Sequence, residues 1–195
     1  MNPQPLLSLV RKPLLFFILS VAAVHFSFGQ NAIVTENALT GNPASEWDIA
    51  DGSSGDPSIQ GFATDISVNK GGAINFKIDI STGTNKQFGI KIYRIGYYQG
   101  NGARLIADLG NFTGITQNAC HEDATGITDC GNWTVSASWT VPSGAVSGLY
   151  IAKLTRSAAG GGGSSHIAFV VRDDGSTSDL YFKTSDATWQ AYNPY

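Results

Sequence analysis

The chain has 195 residues, of which 42% are hydrophobic and 14% charged, and a formal net charge of −3. That much apolar content does not fit a disordered chain, and an acidic balance without any basic run argues against nucleic acid and anionic membrane surfaces as partners. Glycine (23 residues), serine and threonine are abundant, which suits a turn-rich exported β-protein better than a helical enzyme.

Arg11 and Lys12 precede an almost unbroken apolar run from Leu14 to Phe28, and Ser27-Phe28-Gly29 then leads into Gln30. A basic segment, a short apolar core and small residues before a cleavage point make a secretory signal peptide. The run of about fifteen residues is shorter than the roughly twenty a spanning helix needs. Residues 1–29 are expected to be removed. The mature chain is then secreted, periplasmic or on the cell surface, with no membrane attachment after cleavage.

Past the leader, Asp48, Asp51 and Asp56 stand among glycines as calcium-binding carboxylates do, but they do not match an EF-hand loop and no metal is assigned. The dominant signal from there is period two. Phe62, Thr64, Ile66 and Val68 share one face, then Ile74, Phe76, Ile78 and Ile80, then Phe88, Ile90 and Ile92. Tyr97 and Tyr98 follow that strand and precede the turn Gln99-Gly100-Asn101-Gly102. These two are the candidate ligand-binding residues: exposed, they would stack on sugar rings, and buried, they would close the core.

Leu105 to Leu109 is a further strand. Cys120 and Cys130 are the only cysteines, and an even pair in an exported chain reads as one disulfide. Closing so short a loop contributes about 2.5–3 kcal/mol in the chain-entropy account. A redox motif would need C-x-x-C spacing, and two cysteines with His121 fall short of a zinc site. Trp133, Val135, Ala137, Trp139 and Val141 alternate with hydroxyl residues, and Leu149 to Thr155 and His166 to Arg172 supply the last strands. Gly160 to Gly163 reads as the hairpin loop between them. No G-x-S-x-G elbow accompanies His121 and His166, so no catalytic residue is assigned. Asn111-Phe112-Thr113 and Asn132-Trp133-Thr134 fit the glycosylation sequon, which has meaning only in a eukaryotic secretory pathway.

Seven or eight short strands punctuated by turns predict an all-β, immunoglobulin-like antiparallel two-sheet sandwich over residues 30–174. Trp133, Trp139, Ile78, Ile90 and Phe169 should be buried in it. Ser147-Gly148-Leu149-Tyr150 resembles the corner in which a tyrosine hydroxyl bonds back to the preceding turn. Ala152 stands where antibody domains place a cysteine, so the resemblance is to the broad sandwich class.

Several stretches resemble a known family when read together. They are Ile92-Tyr93-Arg94-Ile95-Gly96-Tyr97-Tyr98 with Gly100-Asn101-Gly102-Ala103-Arg104, Cys130-Gly131-Asn132-Trp133 with Trp139-Thr140-Val141-Pro142, Ser165 to Asp173, and Thr184 to Asn193. The set is similar to the N-terminal region of large exported bacterial proteins related to the large (β) subunit of N,N-dimethylformamidase. The resemblance implies a sandwich followed by an α/β amidohydrolase-type domain, with 175–195 as the start of that second domain and the chain truncated within it. It implies iron bound well downstream, so no cofactor is assigned to this chain. Leu180-Tyr181-Phe182 would be the first strand of the missing domain. The expected function is a non-catalytic module whose partner is the downstream domain of the same polypeptide. The alternatives are the first part of an amidohydrolase acting on small amides, and a surface carbohydrate-binding or adhesion module.

Overall fold

The computed structural model describes residues 31–50, 53 and 55–191. The expected leader, Asp51 and the terminal tyrosines Tyr192 and Tyr195 lie outside them. Two short helices, α1 (Ala32–Asn37) and α2 (Ala44–Trp47), come first. The strands β1 (Gln60–Ala63), β2 (Ser67–Asn69), β3 (Ala73–Asp79), β4 (Gln87–Ile95) and β5 (Ala103–Thr113) follow. A small hairpin, β6 (His121–Glu122) and β7 (Thr128–Asp129), precedes β8 (Ala137–Thr140), β9 (Gly148–Arg156) and β10 (Ser164–Arg172). Helix α3 (Asp186–Ala191) closes the order.

One sheet has the order β1-β3-β8 and the other β2-β10-β9-β4-β5, so the molecule is the expected two-sheet sandwich. Alternation places Ile74, Phe76, Ile78 and Ile80 in the interior from β3, facing Phe88, Ile90 and Ile92 from β4. Each such side chain contributes about 1.5–3 kcal/mol on full burial. A slip of one residue would turn the whole set outward, which is what specifies the register. Trp139, Tyr150, Phe169 and Phe76 pack their rings with centroids 5.8–6.0 Å apart. Trp133, Trp139, Ile78, Ile90 and Phe169 are all buried. The Tyr150 hydroxyl donates to the Val146 carbonyl at 2.7 Å, forming the corner that the local sequence resembles.

Two strand assignments need correcting. The run from Phe62 to Val68 is not one strand: β1 pairs antiparallel with β3, whereas β2 pairs parallel with β10 in the other sheet. The chain crosses between sheets at Thr64 to Ile66, where Thr64 N–H still bonds Asn75 and the Ile66 carbonyl already serves Val170. Ile66 is half exposed at this crossing. The run from Trp133 to Val141 is strand only from Ala137, and Val135 is exposed because it precedes the pairing with β3.

The tail differs as well. After β10, Leu180, Tyr181 and Phe182 are 91%, 89% and 84% exposed and form no strand, because a strand exists only against a neighbour and none is present among the described residues. A helix, α3, follows them.

Candidate functional site

The segment from Asn31 to Asp48 lies as a strap over the outer face of the five-stranded sheet. Trp47 covers a second apolar cluster of Tyr93, Ala103 and Ile151 with Leu105 and Ile95, and its indole N–H donates to the carbonyls of Asn42 and Asn101 at 3.1 Å. Asn42 extends the edge of β5, donating to the Ala103 carbonyl at 2.8 Å and accepting from Leu105 N–H at 2.7 Å. A side chain at Gly41 would collide with Ala103, Asn101 and Tyr98, each 2.7 Å from its Cβ, so the strap can lie this close only with glycine there.

At six residues α1 is too short to be stable alone. Asn31 caps it by accepting from Ile33 N–H at 2.9 Å, and its fixed point on the sandwich is Glu36. The Glu36 carboxylate, 8% exposed, meets three donors on its Oε1: the Tyr98 hydroxyl at 2.9 Å, Arg104 Nε at 2.8 Å and Arg104 Nη2 at 2.5 Å. Arg94, 3% exposed, donates Nη1 to the Tyr98 oxygen at 3.0 Å and Nη2 to the Ser147 carbonyl at 2.9 Å. Both guanidinium carbons lie 5.9 Å from the Tyr98 ring centre, within reach of its negative face.

Burial raises the Tyr98 hydroxyl above the ordinary phenol range, so it stays protonated and can donate to Glu36. Burial alone would lower the Arg104 guanidinium, but the hydrogen bond and charge of Glu36 outweigh it and hold Arg104 above its usual value. Burial pushes Tyr150 up to about 12. Two cations and one carboxylate leave the cluster with excess positive charge, partly offset by the carbonyls of the 146–147 turn. Beside it lies a cavity of about 160 Å³ lined by Glu36, Arg104, Ile106, Pro142, Ala145 and Tyr150, among others. A larger open recess of about 420 Å³ at the other end of the sandwich is lined by Thr84 to Gln87, Thr113 and Gly114. We assign the site to the smaller cavity, because it is where ionised groups converge with apolar walls.

The structure separates the two tyrosines that the sequence pairs. Tyr97 is 71% exposed, while Tyr98 is wholly buried in the Glu36–Arg94–Arg104 cluster. Tyr98 and Gln99 adopt left-handed φ of 41° and 58°, which turns the Tyr98 ring inward. A sugar-stacking pair is therefore not present; one ring faces solvent and the other is structural. Cys120 and Cys130 are bridged, with Cα atoms 4.4 Å apart, and staple the exposed β6–β7 hairpin.

His121 lies on that hairpin, and Asp123 caps its turn, where a hydrogen bond from Thr125, then those from Ile127 and other amides, lower its carboxyl. His166 donates its Nε2–H to the Trp47 carbonyl at 2.7 Å, so it holds the strap. Asp56 binds the amides of Ser58 and Ser164 at 2.8 and 3.2 Å. Among the described residues no three His, Cys, Asp or Glu side chains are grouped to hold a metal.

Sequence reasoning missed Glu36, Arg94 and Arg104 as a group. Arg94 and Arg104 flank the quoted tyrosine motif and could have been noticed. Glu36, more than fifty residues from either arginine, left no signal.

The sequence was compared with families and with individual proteins. Residues 89–195 match the family described as N,N-dimethylformamidase beta subunit-like, C-terminal. The match begins within β4, includes Arg94, Tyr98, Arg104 and Tyr150, and runs on through α3. Glu36 lies before it. No individual curated protein matches the sequence significantly. With more than half its length matched, the chain belongs to the N,N-dimethylformamidase beta subunit-like family.

Proposed function

We propose that this chain is a non-catalytic sandwich module of an N,N-dimethylformamidase-like large subunit, and that it packs beside and orients a second domain. The observation that carries the reading is the exposure of Leu180, Tyr181 and Phe182, at 84–91%, in the segment that follows β10 and within the family-matched stretch. Three consecutive large apolar side chains in water are a surface made to be covered. The ionised cluster is consistent with an orienting role. Its groups bind one another and the strap, giving a rigid base from which the tail departs. The Cys120–Cys130 bridge suits the oxidising compartment proposed for the mature chain.

The test compares the full chain with one ending at Asp174. Removing the tail is expected to abolish binding of an apolar dye and any self-association, with the melting temperature unchanged. A truncated form that is less soluble or melts several degrees lower would show that the tail belongs to the sandwich, against the proposal. Hydrolysis of N,N-dimethylformamide by the chain itself would overturn the non-catalytic reading and favour the amidohydrolase one.

A further inference from the structure

Helix α1 is packed inside out. The residue it buries is Glu36, while Ile33 and Val34, with Leu39 just beyond its end, face water at 41–62% exposure. A surface helix ordinarily does the reverse. The bonds of Glu36 to Tyr98 and Arg104 fix this orientation. Beside the helix stands the exposed Tyr97, whose amide donates to Asn37 Oδ1 at 2.9 Å. Four apolar side chains are thus held outward at this end of the sandwich, a surface that calls for a cover.

The tail leaves from the same end. Strand pairing sets Val171, near the end of β10, level with Gly148 on β9; Tyr150 on β9 is level with Arg94 on β4, which faces Arg104 on β5. Neighbouring strands stand about 4.8 Å apart, so β10 is roughly 10 Å from β4 and roughly 15 Å from β5. Asp173 and Asp174 pin the exit by pairing with Lys70 and Arg172. From Asp174 the chain can carry Leu180 at most about 20 Å. That reaches α1. It falls short of the exposed Ile115, which lies past the end of β5 where Thr113 pairs with Gln87, because a strand of the length of β10 spans roughly 27 Å by itself.

Charge agrees with reach. The cluster under α1 holds two guanidinium groups against one carboxylate, and the Arg104 side chain is 29% exposed. Asp179, directly before the apolar triplet, forms no ion pair among the described residues. We infer that Ile33, Val34, Leu39 and Tyr97 are the seat for the chain's own segment 179–182, with Leu180, Tyr181 and Phe182 on the apolar side chains and Asp179 turned towards Arg104. The inference rests on the module reading, and it names the face of the sandwich against which the second domain is held.

The test follows amide NMR shifts in the full chain. Replacing Leu180, Tyr181 and Phe182 together by serine should shift the amides of Ile33, Val34, Leu39 and Tyr97. Val34→Ser combined with Leu39→Ser should shift those of Leu180, Tyr181 and Phe182 in return. All these side chains are exposed, so neither variant should change the melting temperature. Asp179→Asn should reproduce the first set of shifts in the same direction and at smaller size, and no change would overturn the charged half of the inference. The seat is wrong if the changes stay within residues 173–183, or appear instead at Ile66, Ile115 or Ile127. Shifts that vanish on dilution would give the seat to the tail of a second copy, against the inference. Any of these failures leaves the module reading standing, since that reading fails by a different measurement, a lowered melting temperature of the chain ending at Asp174.

Discussion

Two buried arginines stand at opposite ends of the sandwich, and they meet the same physical problem in different ways. Arg94, on β4, lies across from Tyr150, while Arg156 ends β9 across from Phe88. They are 3% and 4% exposed. A charge so far from water needs compensation. At the Arg94 end it comes from far along the chain: Tyr98 and the 146–147 carbonyls surround the guanidinium, and Glu36 on the strap completes the cluster. At the Arg156 end it is confined to nearby loops. Arg156 donates to Thr82 Oγ1, the Thr82 carbonyl and the Asn85 carbonyl at 3.0–3.1 Å, and its Nε has no partner among the described residues. One end thus depends on the N-terminal strap being in place. The other is self-contained and only partly satisfied.

The largest effect that sharpens this contrast is expected from Glu36→Ala. Removing one member of a buried, hydrogen-bonded charge group costs about 3–5 kcal/mol, and the partial exposure of Arg104 brings the expectation to about 3 kcal/mol. Hydrogen exchange should place the loss of protection in the strap, residues 31–48, and leave the loops at 81–86 and 157–163 unchanged. Loss of protection at both ends would break the distinction.

Arg156→Met comes next. It keeps much of the volume and removes an incompletely paired charge, but it strips the donors from two carbonyls, for a net cost of about 1–2 kcal/mol. Here the exchange pattern should reverse, with the loops loosened and the strap protected. The double mutant should equal the sum of the singles within about 0.5 kcal/mol, as expected for distant sites. A larger coupling in chemical denaturation would show that the two ends act as one unit.

Tyr150→Phe isolates the part of the Arg94 end that the strap does not supply. It removes the 2.7 Å bond to Val146 and should cost about 1 kcal/mol. The folded phenol is raised to about 12 from an ordinary 10, so its contribution is fully present below about pH 10 and is lost as the pH climbs towards 12. The variant should therefore lose less stability than the parent over that alkaline range. Equal alkaline sensitivity would assign the effect to other groups.

How far these regions were legible in the sequence depends on how local their causes are. The alternation of Ile74 to Ile80 is a local property, and it correctly predicted a strand with one buried face. The corner at Tyr150 was readable because its acceptor, Val146, is four residues away. Phe62 to Val68 alternates well enough, yet nothing in its own residues says that half belongs to another sheet; that is decided by the free edge of β10. Tyr97 and Tyr98 looked equivalent because adjacent positions in a turn carry no period. Their fates part at a left-handed backbone turn and at a carboxylate from α1. Trp47 and Glu36 are long-range partners and left no pattern to find.

The smallest expected effect comes from His166, which ties the strap to the sheet. It lies beneath the strap with its Nε2 2.7 Å from the Trp47 carbonyl. The charged groups acting on it are Lys153 on β9, whose ammonium donates to the Glu46 and Asp48 carbonyls at 3.2 and 2.9 Å, and the Asp48 carboxylate on the strap, while Lys91 on β4 acts on Lys153. Burial first, and the nearby Lys153 charge, lower the imidazole below its ordinary 6.5, against the opposing pull of the Trp47 hydrogen bond. A base with a depressed folded pKa is neutral in the native state while the unfolded chain takes up a proton. Its stabilising share is therefore complete above about pH 6.5 and is lost as the pH falls through the folded value. The melting temperature should decline between about pH 7.5 and about pH 5.5, and His166→Gln should flatten that decline while retaining a donor for the Trp47 carbonyl. Exchange at the strap should respond to acid before the 157–163 loop does. If the loop responds first, or the glutamine variant keeps the full slope, the pH dependence lies with other groups and the strap is not the more conditional of the two ends.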